Sequence, residues 1–119
     1  MTGNLIPLSE AVKMTSIFRT DSNSVLDPAY QDMGILPTCE SFDKSCFVKL
    51  FTDINCVGVR VYLAMDERLR VKLVIVGVNA QNEDVYIKLN PNEPLEESYV
   101  IENGVRCPDS CPPASPLNP

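Results

Sequence analysis

The sequence predicts an α+β fold: an antiparallel sheet of three to four strands, two helices packed on one of its faces, and a Pro-rich C-terminal tail. Three observations predict it. Residues 57–78 alternate in polarity on either side of a charged centre, Asp66-Glu67-Arg68, which is the pattern of a β-hairpin. Two upstream segments, 10–20 and 42–52, carry apolar residues at helical spacing. The links between strand candidates are short, which favours antiparallel neighbours over crossovers.

The elements follow in order. Residues 1–8 read as extended. Ser9 is a good N-cap, and a helix is expected over about 10–20, with Glu10 in the first turn where the helix dipole favours it. Ala11 or Val12, Met14, Ile17 and Phe18 form an apolar stripe expected to pack on the sheet. Residues 21–41 read as irregular, with a helical turn or two over 28–33 that ends at Gly34. A second helix, capped by Ser41, is expected over 42–52; Phe42, Cys46, Phe47, Leu50 and Phe51 give it a broad apolar face.

In the hairpin, Val57, Val59, Val61 and Leu63 are expected to face the core, and Arg60 and Tyr62 to face water. A turn at 66–68 sets Leu63 beside Val71 and Val61 beside Leu73. Arg70 and Lys72 then fall on the outer face. From Val74 the second strand is apolar on both faces, so it should be central, with a neighbour on each side. Residues 79–84 read as a polar turn, 85–89 as a third strand and 98–102 as a short edge strand stopped by Asn103-Gly104. Residues 107–119 hold five of the ten prolines and cannot be helix or inner strand. They form either a coil packed on the body or a disordered end. The organisation expected is one domain over 1–106 and a tail over 107–119.

Composition narrows the function. An apolar content of 45% allows a real core. No apolar run is long enough to span a bilayer, and residues 1–10 lack the basic and apolar regions of a secretory signal, so a cytoplasmic protein with no membrane partner is expected. Sixteen acidic residues against ten basic ones, a net charge of −6, argue against nucleic-acid binding. Residues 57–89 are the one stretch that is not acidic, with 5 basic and 4 acidic groups. There is no histidine, which excludes Ser-His-Asp and Cys-His catalysis in their usual forms and His-based zinc sites.

Two places could carry chemistry. On the outer sheet face, Arg60, Tyr62, Arg70, Lys72, Tyr86 and Lys88 would share one surface. Two rings among four cations suit an acidic or planar ligand, or a partner's acidic patch; the same residues also suit a solvated face that blocks edge pairing. The other place is the cysteine set. Cys107 and Cys111 are the one clustered pair, open to a disulfide, redox or metal role. Zinc would need more ligands from Cys39 and Cys46, at spacings unlike the usual paired motifs. Cys46 and Cys56 read as small core residues.

At Gly58-Val-Arg-Val-Tyr62, Leu73-Val-Ile-Val-Gly-Val78 and Glu102-Asn-Gly-Val-Arg-Cys-Pro-Asp-Ser-Cys111 the chain resembles a group of small uncharacterised bacterial proteins. They share a two-stranded core, a preceding helix and a C-P-x-x-C-type tail. The resemblance implies that Arg60 and the tail cysteines act together, and it implies no catalytic residue. The leading expectation is a non-enzymatic protein-interaction or accessory module with another protein as partner and no resident cofactor. The alternative is a metal-binding or redox-linked protein centred on Cys107 and Cys111.

Overall fold

A computed structural model of the chain describes residues 2–119 and divides them into two compact units. The first comprises 42–64 and 72–104; the second comprises 2–41, 65–71 and 105–119. Helices and antiparallel sheets are both present, so the fold is α+β.

The first unit is built on helix α2 (Lys44–Phe51) and a three-stranded sheet of order β2–β3–β4, with β2 at Gly58–Met65, β3 at Val71–Val78 and β4 at Asp84–Val85. The cap of α2 is Asp43 rather than Ser41: its carboxylate accepts from the Ser45 N–H at 2.7 Å, and the Ser45 side chain and that N–H hold its pKa below the ordinary value. Leu50 is fully buried and packs with Ile75, Ile87 and Ile101, flanked by Phe42, Cys46, Phe47 and Cys56. Phe47 meets Phe42 edge-on, with ring centres 6.5 Å apart. Gly77 lets helix and sheet approach closely. A Cβ there would come within 2.7 Å of Cys56 Sγ and 3.0 Å of Leu50 Cδ1.

The second strand of the hairpin is central, as its two-sided apolar end requires, and β3 is fully buried from Ile75 to Val78. The expected third strand shrinks to the two residues of β4, paired Gly77 to Val85 and Val78 to Asp84. The segment expected as an edge strand meets the sheet through single bridges, Ile101 to Ile75 and Tyr99 to Ile87. Pro91 and Pro94 lie between these pieces and lack the N–H that a longer ladder would need.

Tyr62 is exposed as expected, but the rest of the face assignment of β2 does not hold. Val57, Val59, Val61 and Leu63 are 60, 41, 50 and 78% exposed, whereas Arg60 is half-buried. The alternation is real, but the apolar cover lies over β3, and β2 is the outer strand.

The second unit holds helix α1 (Leu8–Asp21), the hairpin tip and a two-stranded antiparallel sheet, β1 (Cys39–Ser41) with β5 (Val105–Cys107). Asp66 N–H bonds to Arg70 O at 3.1 Å, so the turn is 67–69, one residue later than expected. That bond sets Met65, not Leu63, beside Val71. Asp66 also accepts from the N–H groups of Arg68 and Arg70 at 2.9 and 3.0 Å. Leu69 has φ of 63°, the left-handed residue of the tip.

Helix α1 differs from expectation too. It begins after Pro7 with no side-chain cap, and none of its residues is buried; Met14 and Ile17 are exposed. Its stripe is therefore not the core-packing face that the spacing suggests. Past Cys107 the chain contains no helix. Arg19 donates to Leu117 O at 2.7 Å, and Ser115 and Asn118 exchange backbone bonds.

Candidate interaction surface

Of the six residues expected on one cationic face, Arg60, Tyr62, Arg70 and Lys72 are distributed over three acidic partners. In the first unit, Arg60 reaches across to the β4 strand and bonds to Asp84 Oδ1, to Asn82 Oδ1 and, at 3.2 Å, to Asn82 O. Tyr62, two residues along β2 and so on the same face, donates its hydroxyl to Asp84 Oδ2 at 2.8 Å. The Tyr62 bond and the Arg60 guanidinium outweigh burial and hold the Asp84 carboxyl below its usual value. The Asp84 contact in turn raises both Tyr62 and Arg60. Asp84 is thus the centre on which Arg60 and Tyr62 converge.

The turn that delivers Asp84 is built by Asn79. Its side-chain oxygen accepts from Gln81 N at 3.0 Å and Glu83 N at 2.9 Å, while Asn82 takes φ of 66°. Lys72 pairs with Glu102 at 3.2 Å. Tyr86 and Lys88 line an open cavity of about 670 Å³ together with Lys49, Asp53 and Asp84. Its walls carry both signs of charge. Arg70 belongs to the second unit, where Nε bonds to Asp66 Oδ2 at 2.8 Å. Three of the four cations read from alternation, Arg60, Arg70 and Lys72, therefore stand in compensated pairs, and such partly exposed pairs stabilise only weakly.

What β2 offers instead is apolar. Its outward stripe of Val57, Val59, Val61 and Leu63 runs along a strand with one strand neighbour, β3. Residues 57–65 contain no proline and no lysine, the usual devices that keep an edge from pairing. The one charge within them, Arg60, is already matched by Asp84.

In the second unit, the register of β1 on β5 places Cys39 opposite Cys107 and Glu40 opposite Arg106. Arg106 is the residue that the sequence reading passed over. Its guanidinium donates to Val71 O at 3.0 Å, Gly34 O at 3.1 Å and Ile35 O at 3.2 Å, and lies 3.9 Å from the enclosed carboxylate of Glu40. One side chain thus ties the hairpin tip, the 34–35 segment and both short strands together. With Arg68 and Arg70 it also lines a cavity of about 570 Å³, which Asp109 borders.

Cys107 and Cys111 form a disulfide. Cys39, Cys46 and Cys56 are free and half-buried. Cys46 and Cys56 pack against the Leu50 core, and the Cys56 thiol donates to Gly58 O at 3.2 Å. Among the described residues, no group of three or more Cys, Asp or Glu could hold a metal ion, and no helix is long and apolar enough to cross a membrane.

No family model, no curated protein and no solved structure matches the chain.

Proposed function

We propose that this chain is a protein-interaction module that associates by strand addition along β2, with the β2 strand of a second copy as its occupant. The observation that carries the reading is the exposed valine–leucine stripe on an outer strand that lacks the usual protecting residues. Strand addition supplies main-chain hydrogen bonds at the edge, and alternate side chains supply the contact area. Self-pairing is favoured over an acidic or basic partner by charge. Arg60 is neutralised within its own chain, so two antiparallel β2 strands bring no uncompensated like charges face to face. A two-fold pairing also closes on itself and stops at a dimer.

Sedimentation of the full chain over a wide concentration range tests this. Wild type should pass from monomer to dimer, and Val61→Lys should remain monomeric with the same circular dichroism spectrum. A peptide of residues 57–65 should compete with the wild-type dimer. Identical sedimentation of wild type and Val61→Lys would overturn the reading.

A further inference from the structure

The second unit brings three of the five cysteines together in a way that the interaction reading does not use. Cys107 and Cys111 are joined, closing a loop of four residue steps. Cys39 is the direct cross-strand partner of Cys107 in the β1–β5 ladder. Residues directly opposed on antiparallel strands have Cα atoms roughly 4.5–5.5 Å apart, inside the range of about 4.4–6.8 Å that a disulfide accepts. The register beside this pair is fixed twice over, because Thr38 donates both its N–H, at 2.8 Å, and its hydroxyl, at 3.2 Å, to Cys107 O. Burial separates the three sulfur positions. Cys107 is buried, Cys39 is half-buried and Cys111 is exposed. The other two free cysteines belong to the Leu50 core of the first unit.

We infer that Cys39, Cys107 and Cys111 form a thiol–disulfide exchange centre, in which Cys107 is shared between two alternative disulfides. The Cys39 thiol gives its proton to solvent. Its thiolate attacks Cys107 Sγ; the Cys39–Cys107 bond forms as the Cys107–Cys111 bond breaks. Cys111 leaves as a thiolate and takes a proton from water. One disulfide and one thiol are present before and after, so the step needs no external oxidant or reductant. The exchange moves the free thiol from a half-buried strand position to an exposed one, between Ser110 and Pro112. In that second state Cys111 can attack an accessible disulfide of another molecule, and the chemical class of substrate is a protein or low-molecular-weight disulfide.

The cleavage pattern of the chain makes the two states separable. Trypsin, which cuts after Lys and Arg, releases residues 107–119 as one peptide holding both tail cysteines, and residues 20–44 as a peptide holding Cys39. The folded full-length protein is incubated at mildly alkaline pH with an alkylating agent, quenched in acid, digested without reductant and mapped by mass. Wild type should yield the 20–44 peptide linked to 107–119, with Cys111 alkylated. In Cys39→Ser, checked for folding by circular dichroism, Cys111 alkylation should slow by at least about tenfold, since internal exchange is its only route to a thiol. Equal alkylation of Cys111 in wild type and Cys39→Ser would overturn the proposal. So would linkage of 107–119 to the peptides that carry Cys46 or Cys56 instead. The variant Cys111→Ser gives an independent reading. Equilibrated with oxidised glutathione, it should form the Cys39–Cys107 bond; if both thiols stay alkylatable, the cross-strand pair cannot close and the proposal fails.

Discussion

Strands β2 and β3 belong to one ribbon, have the same length and share a valine-rich composition, yet their fates differ. From Ile75 to Val78, β3 is buried, with Gly77 letting Leu50 and Cys56 approach the backbone. Along β2 the valines are exposed, and the side chains that find partners are Arg60 and Tyr62. The difference lies in the neighbours. β3 has strands on both sides and the Leu50 cluster over it, whereas β2 is the outer strand. Alternation along a strand says that its two faces differ. It does not say which face is covered, because cover is supplied by residues remote in sequence.

The largest effect should come from the cover itself. Leu50→Ala should cost about 3 kcal/mol, as a fully buried leucine leaves a cavity between α2 and β3; urea unfolding measures it. A cost under about 1 kcal/mol would mean that β3 is no better covered than β2.

A smaller effect is expected from the polar side of β2. The folded pKa of Asp84 lies below its ordinary value, so its contribution to stability is present above about pH 4 and is lost as pH falls through the folded pKa. Asp84→Asn should be less stable than wild type at neutral pH, and the two should converge as the solution is acidified. Stability curves of wild type and variant that run parallel down to pH 2 would remove the Arg60–Asp84–Tyr62 cluster from the account of what holds β2.

The same reasoning shows what could be read from the sequence. The strand character of β2 and β3, the central place of β3 and the apolar face of α2 are all local patterns of period two or 3.6, and each is present in the fold. The stripe on α1 obeys the same period but none of its residues is buried, since spacing reports amphipathicity and not contact. The β1–β5 sheet left no signal at all. Its strands are three residues long, and the bond from Thr38 to Cys107 joins positions 69 residues apart. Arg106 was hidden for that reason, because its partners at Gly34, Ile35, Glu40 and Val71 come from three separate segments. Asp84 read as one more polar turn residue. The feature that marks it is Arg60 standing alone as the charge of an otherwise uncharged strand. Of the cysteines, Cys107 and Cys111 stood out as a clustered pair with its role left open, whereas the place of Cys39 required the register.

The most direct test of the contrast between the two strands is a matched pair of truncations, Ile75→Ala on β3 and Val61→Ala on β2, each measured by urea unfolding of the full chain at a concentration where it is monomeric. The account predicts a loss of about 3 kcal/mol for Ile75→Ala and about 0.5 kcal/mol or less for Val61→Ala. Equal losses, or a larger loss at Val61, would contradict it.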